Sequence, residues 1–384
     1  MSGMENGPAS DATGGKRDGR TSVVVVSWQS ERFLPGCLES IRAQSHPPCE
    51  VFVVDSGSTD GSVDLVRERF HWASVLPLGG NLGFCRACNE GIGRSTGDAI
   101  LIVNADIILG ADFLAEALRP VGRDERIGSV TGKLLRFDRR TVDSAGQCIS
   151  RSRRVIERGY GQPDEGQFEE AGYVFSACGA AVLYRRRAVE DLLVEGEFFD
   201  EEFFAFSEDL DVGWRARNAG WRAWYEPRAV AYHFRGGTAP EAPEGMARLI
   251  GARAAVLRRP EEIRYHILKN RYLTMLKNDR PAHVLRDAAH IAAREAALAG
   301  IALVSGPRVV GRLARCGSLV ASALRKRRAF LSARGVWGER SCGVPSTWVG
   351  ERLISEPPGA GRRAARRGPA RQAGEGGMGT GGGR

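Results

Sequence analysis

The side chains of this sequence that could do chemistry stand at the ends of apolar segments. Asn104 and Asp106 directly follow the apolar run 99–103, and Asp55 follows another apolar run at 51–54. If each run is a buried parallel strand, its end lies at the carboxyl edge of a sheet, where open α/β sheets bind ligands. Two oxygen ligands at that edge suit Mg²⁺ or Mn²⁺, and such a cation suits a diphosphate.

Two further groups occupy comparable positions later in the chain. Glu208, Asp209 and Asp211 form an acidic group at the start of an expected helix, and His233 ends an apolar segment. Each feature also has an ordinary explanation, because acidic residues favour helix N-termini and Asn or Asp commonly form turns. A single histidine is often merely packed. Their matching places at the ends of elements favour one shared site.

The elements that must position these groups alternate between strands and helices. The hydrophobic pattern predicts strands at 22–27, 51–54, 73–76, 99–103, 129–135, 180–184, 221–225 and 229–233. It predicts helices at 31–43, 84–92, 111–118 and 187–193, and one that follows the turn-forming cluster 55–61 and runs to 70. A further helix is predicted at 208–219, with Ser207 as cap and Gly220 as stop. This alternation indicates an α/β fold with a mostly parallel sheet flanked by helices. A polar loop predicted over 138–172 is longer than a compact domain usually keeps without a function.

Composition and charge divide the chain into unequal parts. We expect a disordered N-terminus at 1–20, an α/β domain at 21–240, a basic helical region at 241–335 and a low-complexity tail at 336–384. Residues 1–240 hold 28 of the 55 Lys+Arg residues and 35 of the 46 Asp+Glu residues, so this part has a net negative charge. The remaining 27 and 11 give residues 241–384 a net charge of +16. The acidic part is a poor nucleic-acid surface, and the basic part is a candidate for anionic partners.

Cysteine usage and hydropathy predict the compartment. The eight cysteines have scattered spacings that do not form a disulfide framework, which favours a reducing compartment. Residues 1–20 contain no apolar stretch typical of a secretory signal, and no run reaches the roughly 18 apolar residues of a membrane span. We therefore expect a cytoplasmic protein that can also be peripheral on the cytoplasmic face of the inner membrane.

The basic region contains one segment with two open interpretations. A helix predicted from residue 305 carries Val309, Leu313, Val320 and Leu324 on one stripe, beside several arginines. Such a helix can lie on anionic lipid, or it can pack on the oppositely charged domain of its own chain. Nucleic acid is not an expected partner, because few aromatic residues interleave with the basic ones.

Six motifs, taken in order, make the chain resemble a known family. They are Val25-Val-Ser-Trp-Gln-Ser30, Val53-Val-Asp-Ser-Gly-Ser-Thr-Asp-Gly-Ser62, Asn81-Leu-Gly-Phe84, Asn104-Ala-Asp106, Phe206-Ser-Glu-Asp-Leu-Asp-Val-Gly-Trp-Arg215 and Tyr232-His233. Over about 21–238, and more loosely over 265–278, the chain is similar to the inverting family-2 glycosyltransferases with the GT-A fold. The similarity is greatest to their rhamnosyltransferase-like branch. It implies transfer of a sugar from a UDP- or dTDP-sugar, with dTDP-rhamnose as the best expectation, to a saccharide or polyprenyl-linked acceptor of the cell envelope or an exopolysaccharide.

The resemblance also implies a role for each matching residue. Nucleotide binding is assigned to Ser27, Asp55, Gly83, Asn104 and Ala105. Asp55 would accept the imide N–H of a uracil or thymine base. The family usually has Asp at the position of Asn104, so the site lacks one charge there.

The metal and catalytic roles follow from the later motifs. The resemblance assigns the cation, Mg²⁺ or Mn²⁺, to Asp106 and His233. Asp209 would be the catalytic base, with Glu208 as second choice, because an inverting transfer needs one carboxylate to take the acceptor's proton. The residues assigned to the acceptor side are Asp211, Trp214 and Arg215.

Other functions compete with this interpretation. Processive members of the family carry a Gln-x-x-Arg-Trp motif, which the sequence lacks, so one sugar per encounter is expected. Asn104 motivates a rival hypothesis, a non-catalytic sugar-nucleotide-binding or scaffold protein with a decayed metal site. A nucleotidyltransferase would need a Gly-rich phosphate loop and a lysine near the first strand, and 23–32 supplies neither. The glycines at 91–97 end a predicted helix, whereas a dinucleotide fingerprint begins one.

Overall fold

The computed structural model describes residues 19–235, 260–305 and 307–334. Within them a ten-stranded sheet forms the centre of the molecule and a two-stranded hairpin stands apart from it. The expectations of a disordered N-terminus and a low-complexity tail fall almost wholly outside the described residues.

Every predicted strand segment is found in a strand. The strands are β1 (Thr21–Ser27), β2 (Glu50–Asp55), β3 (Ser74–Pro77), β4 (Ala99–Asn104), β5 (Ile107–Leu109), β6 (Ile127–Arg136), β7 (Val142–Ser144), β8 (Gln147–Ile149), β9 (Val155–Glu157), β10 (Gly172–Val174), β11 (Ala181–Arg185) and β12 (Arg222–His233). Five of them, the short strands β5 and β7 to β10, were not predicted. The buried β-branched runs of β1 and β4 explain why these segments form central strands.

The helices cover both faces of the sheet and continue beyond it. They are α1 (Leu34–Arg42), α2 (Ser62–Arg69), α3 (Phe84–Arg94), α4 (Phe113–Arg123), α5 (Arg186–Asp191), α6 (Glu208–Asn218), α7 (Glu261–Asn278), α8 (Pro281–Arg286), α9 (Ala288–Ser305), α10 (Pro307–Ala314) and α11 (Gly317–Ser332). A short 3-10 helix, Glu201–Phe203, precedes α6.

The order of the strands creates a ligand-binding edge. The sheet runs β10-β12-β6-β11-β4-β1-β2-β3, and its β4-β1-β2-β3 half is parallel. From β1 the chain proceeds outward through β2 and β3 and then returns to place β4 on the other side of β1. This reversal opens a crevice at the carboxyl ends of the strands, which is where such sheets bind ligands. The predicted α/β class is confirmed.

Side chains of β1 alternate between the two halves of the core. Val23 and Val25 pack with α1, α2 and α4 on one face, whereas Val24 packs with α3 on the other. The second face is also covered by residues from α6, α7 and α11. The basic helical region is therefore part of the same core as the sheet.

Three local predictions need correction. The loop expected over 138–172 contains the short strands β7, β8 and β9. The two strands expected at 221–225 and 229–233 are one strand, β12, with an irregularity between Glu226 and Val230. Ser207 is not a side-chain cap, because its backbone is left-handed (φ 66°) and its hydroxyl makes no cap hydrogen bond. Gly220 does end α6, with φ +92°.

The predicted helix from residue 305 is two helices, α10 and α11. One face of α11 packs on the α/β domain, where buried Lys326 lies 2.7 Å from Asp200 Oδ1 and 2.9 Å from Glu197 Oε2. Val320 and Leu324 of the predicted stripe remain exposed. Of the two interpretations of this segment, packing on the α/β domain of the same chain therefore applies to one face of α11. No helix in the described ranges is both long enough and apolar enough to cross a membrane.

Candidate active site

The strand register brings the predicted nucleotide-binding residues of three strands together. Ser27 of β1 lies opposite Asp55 of β2, and Val26 lies opposite Asn104 of β4. The Asp55 carboxylate is buried and accepts hydrogen bonds from the backbone N–H and the hydroxyl of Ser58, at 2.8 and 2.5 Å. Asp55 therefore shapes the turn after β2 while it lines the edge of the sheet.

A short strand pair places His233 beside Asp106. Strand β5 begins directly after Asp106 and pairs antiparallel with the end of β12, so that Ile107 lies opposite His233. The backbone N–H of Phe234 donates to the carbonyl of Asp106 at 3.0 Å. The His233 Nε2 atom lies 3.4 Å from Asp106 Oδ1. The structure thus joins the two residues predicted to hold a cation.

The other ring nitrogen of His233 faces a second carboxylate. His233 Nδ1 lies 2.8 Å from Asp143 Oδ2, and Asp143 is fully buried in the middle of β7, where Arg235 also pairs with it. Burial alone would lower the pKa of His233, but hydrogen bonds and charges from Asp106 and Asp143 outweigh burial and raise this pKa to about 9. Asp143 therefore fixes the orientation of the imidazole.

Asp209, in the first turn of α6, is held by donors from two other segments. Its Oδ2 accepts hydrogen bonds from Gln147 Nε2 and from the backbone N–H of Gly179, both at 2.8 Å. A Cβ at position 179 would lie 3.1 Å from the Asp209 side chain, so glycine permits this close approach. Burial raises the pKa of Asp209 above its ordinary value, which suits a proton acceptor.

One polar segment connects the Asp106–His233 pair with Asp209. Gln147 Nε2 also donates to Glu157 Oε1 at 2.8 Å, and the Ser144 hydroxyl donates to Glu157 Oε2 at 2.6 Å. Ser144 follows Asp143 in the chain, and Asp143 bonds to His233. The predicted cation ligands and the predicted base are therefore linked by side chains of β7, β8 and β9.

Glu208 faces a different environment from its neighbour. Burial, and then the charge of Asp209, raises the pKa of Glu208 to about 8. Its charge in turn adds to the burial that raises the thiol pKa values of Cys85 and Cys88 in α3. Its Oε2 atom is buried and has no hydrogen-bond partner among the described residues. The charge of Glu208 therefore acts on the thiols of α3, whereas the Asp209 carboxylate bonds to β8.

The loop before α6 has a strained backbone that α7 holds in place. Three non-glycine residues there have positive φ angles of 66–74°, namely Phe204, Phe206 and Ser207. The fully buried Asn270 of α7 spans this loop with its side-chain amide. Its Nδ2 donates at 3.0, 2.8 and 2.7 Å to the carbonyl oxygens of Phe203, Ala205 and Phe206. Helix α7 thus sets the entry to the helix that carries Asp209.

Other predicted site residues have structural partners. Asp211 is buried and accepts hydrogen bonds from Lys277 and Asn278 of α7, at 2.8 and 2.7 Å. Buried Trp214 packs edge-on against Phe175. Arg215 donates at 2.6 Å to two backbone carbonyl groups, those of Leu192 and Phe198. These contacts brace α6, and the assignment of the three residues to the acceptor side stays a prediction.

Gly83 and Ala105 contribute backbone rather than side chains. Gly83 precedes α3 with φ +87°, and a Cβ there would lie 2.6 Å from the carbonyl oxygen of Phe204. Ala105 is buried, and its N–H donates to the Val26 carbonyl at 3.3 Å. None of the six sequence motifs contains Asp143, Gln147 or Glu157. The length of the polar loop at 138–172 is the one sequence signal that pointed to their segment.

Comparison with known proteins decides the family. The family model "Glycosyl transferase family 2" matches residues 22–193. An N-acetylglucosaminyl-diphospho-decaprenol L-rhamnosyltransferase of Mycobacterium tuberculosis is 30% identical over 240 residues, which cover 55% of this chain and 75% of that protein. This chain belongs to glycosyltransferase family 2. The predicted family and the predicted enzyme class are confirmed, which disfavours the non-catalytic rival.

Further relatives of this glycosyltransferase differ in the sugar named. An N-acetylglucosaminyltransferase of Bradyrhizobium diazoefficiens is 30% identical over 222 residues, covering 54% of this chain and 43% of that protein. Among solved structures, a mannosyltransferase of Pyrobaculum calidifontis in complex with GDP-Man and Mn²⁺ is 20% identical, with a TM-score of 0.47. The match covers 82% of this chain and 85% of the mannosyltransferase. The two curated relatives thus differ in the sugar that their names give, L-rhamnose in one and N-acetylglucosamine in the other.

Proposed function

We propose that this glycosyltransferase is inverting and metal-dependent and adds one sugar, rhamnose, from a pyrimidine-diphosphate donor to a polyprenyl-linked saccharide. The observation that carries the proposal is the polar segment that joins Asp106 and His233 to Asp209. The rhamnose and the lipid carrier are taken from the name of the mycobacterial relative.

Asp209 is the proposed catalytic base. The oxygen of an acceptor hydroxyl attacks the anomeric carbon, its bond to that carbon forms, and the bond from carbon to the diphosphate breaks on the opposite face. The hydroxyl proton passes to Asp209, and the nucleoside diphosphate leaves with the electron pair. Hydrogen bonds from Gln147 and Gly179 hold the carboxylate in place before the reaction, so little reorganisation is needed.

Asp55 is the proposed recognition residue for the base of the nucleotide. Its carboxylate lies at the end of β2, beside the switch between β1 and β4. Beside its hydrogen bonds from Ser58, the carboxylate can accept the imide N–H that uracil and thymine carry, and bases without that donor would not supply this further hydrogen bond. The backbone of Ser27, Asn104 and Ala105 at the same edge would complete the nucleotide site.

The donor groups at the edge of the sheet fit a divalent cation. Asp106 offers a carboxylate, and His233 would offer a ring nitrogen once the cation displaces its proton. Asp143 would accept the N–H of the other ring nitrogen, as outer carboxylates do in many metal sites. Asn104, at the end of β4, would add a neutral oxygen. Because the set includes imidazole, Mn²⁺ fits better than Mg²⁺. When bound, the cation would neutralise charge on the departing diphosphate.

Replacing Asp143 with Asn is expected to weaken metal binding by about 10–100-fold. The amide keeps the size of the carboxylate but removes the charge that orients His233. The measurement is Mn²⁺ titration of the purified protein, followed by electron paramagnetic resonance of free Mn²⁺, with Asp138→Asn as an exposed control. Unchanged Mn²⁺ affinity in a folded Asp143→Asn protein would contradict the proposed cation site.

Donor turnover tests the proposed function. Purified protein is incubated with UDP- and dTDP-sugars, Mn²⁺ and polyprenyl-diphospho-N-acetylglucosamine, and released nucleoside diphosphate is measured. We expect release with dTDP-rhamnose, loss of release with EDTA, and a product of inverted anomeric configuration by NMR. No release from any UDP- or dTDP-sugar, with and without acceptor, would reject the function. A product of retained configuration would reject the inverting mechanism.

The exposed side of α10 and α11 is the proposed contact with anionic membrane. Val310, Val320 and Leu324 are 38–39% exposed there, among the exposed arginines Arg308, Arg315 and Arg328. Apolar side chains next to basic ones are the composition of an interfacial helix. A lipid-linked acceptor would then meet the enzyme at the membrane surface.

Vesicle sedimentation tests this surface. Replacing Arg308, Arg315 and Arg328 together by Gln is expected to lower binding to phosphatidylglycerol vesicles on the order of a hundredfold, because each basic residue contributes about 1 kcal/mol near anionic lipid. The same change at Arg42, Arg67 and Arg94, exposed on the α/β domain, is the charge-matched control. Equal losses in both triple variants would indicate attraction by net charge alone.

A further inference from the structure

Glu157 and Asp209 share one amide group. The Gln147 Nε2 atom carries two protons and lies 2.8 Å from both Glu157 Oε1 and Asp209 Oδ2. The opposite amide orientation would place an oxygen against two carboxylates, so the hydrogen-bonding partners determine which atom faces them. Gln147 is 3% exposed and Ser144 holds the remaining Glu157 oxygen, which leaves the pair little freedom.

The two carboxylates are close enough to influence each other's ionisation. A carboxylate oxygen of each and the Cys178 thiol all lie within 4.8 Å of one another. Those distances would also suit a metal ion, but the amide protons that face both carboxylates oppose a cation there. Like charges so close cannot ionise independently, and they titrate as a pair.

We propose that Glu157 is a positioning residue that sets the basicity of Asp209 through the shared amide of Gln147. The inference rests on the proposed function, in which Asp209 takes the acceptor's proton. A negative Glu157 disfavours the negative form of Asp209 and so makes Asp209 a stronger base. The proton that leaves the acceptor hydroxyl then ends on Asp209 beside a carboxylate that stabilises it there.

The surrounding groups agree with this role. Burial, and then the charge of Asp209, raises the pKa of Glu157 to about 7, although Ser144, Gln147 and Arg235 act in the opposite direction. The charge of Asp209 also raises the pKa of three other groups. They are Glu208 in the same helix, Cys178 just before β11 and Tyr184 within β11. Cys148, on the same hairpin, is a neutral thiol because burial raises its pKa to about 11. Arg235 is thus a cation that limits the rise in the pKa of Glu157.

The pH dependence of kcat/KM tests the proposal. Glu157→Gln keeps an acceptor oxygen for Gln147 and removes the charge, so the pKa of Asp209 should fall. We expect the acid limb of the profile to move about one unit towards lower pH. Glu170→Gln, at an exposed position of the same loop, should leave the limb unchanged. An unmoved acid limb in a folded Glu157→Gln enzyme would overturn the proposal.

A second readout does not depend on turnover. Carboxyl ¹³C NMR of protein labelled at Asp and Glu should show Glu157 titrating at lower pH in Asp209→Asn than in the wild type. Identical Glu157 titrations in the two proteins would overturn the inference even in an active enzyme. Coupled titration without turnover from any donor would reject the proposed function and retain the electrostatic coupling of the pair.

Discussion

Replacing Asp209 with Asn lowers kcat by about 10²–10⁴-fold if Asp209 takes the acceptor's proton. The amide cannot accept that proton, yet it matches the carboxylate in size and can keep an oxygen towards Gln147 and the Gly179 N–H. The donor Kd should change little, because Asp55 and the ends of β1 and β4 lie in other segments. Single-turnover kinetics with a labelled donor and calorimetric donor binding measure the two quantities separately.

Glu208→Gln distinguishes the two candidates for the base. Because Gln147 and Gly179 hold the carboxylate of Asp209 and not that of Glu208, we expect Glu208→Gln to cost far less kcat than Asp209→Asn. Asp64→Asn, on the exposed side of α2, controls for the loss of one negative charge. A large loss in Glu208→Gln together with an active Asp209→Asn would transfer the role of base to Glu208.

The longer strands of the sheet and the residues at their ends follow from hydrophobic patterning. The runs that form β1, β2 and β4 are continuously apolar because both faces of the sheet are covered. In a parallel sheet their ends fall at one edge, so the apolar pattern alone is enough to assign Asp55, Asn104 and Asp106 to one place. The helix that begins at Glu208 is similarly marked by its acidic first turn.

The residues that complete the site could not be found in this way. Asp143, Gln147 and Glu157 lie on strands of three residues each, which are too short to show periodicity. Their function depends on contacts with His233 and Asp209, which are distant in the chain. Asp211 depends on distant residues in the same way: its carboxylate bonds to Lys277 and Asn278 of α7, and its assignment to the acceptor side stays a prediction.

The hairpin of β8 and β9 depends on the basic helical region for its position. At its tip, Arg153 is 4% exposed and has a left-handed backbone, with φ 61°. Its guanidinium lies 2.6 Å from Asp279 and 2.8 Å from Asp287, both buried at the ends of α7 and α8. Arg151 also reaches Asp287, at 2.7 Å. The segment that presents Gln147 and Glu157 to Asp209 is therefore anchored outside the α/β domain.

Replacing Arg153 with Met is expected to lower the free energy of unfolding by about 3–5 kcal/mol, because Asp279 loses a buried ionic partner while it stays buried. Asp287 keeps Arg151 and Arg286, so Asp279 should account for most of the loss. Urea unfolding measures the change, and Arg154→Met, at the exposed neighbouring position, is the control. Adding Asp279→Asn to Arg153→Met should recover part of the stability, since the uncompensated charge is then gone. If the double variant is no more stable than Arg153→Met, the loss comes from hairpin packing or from the Asp287 contact rather than from the unpaired charge of Asp279.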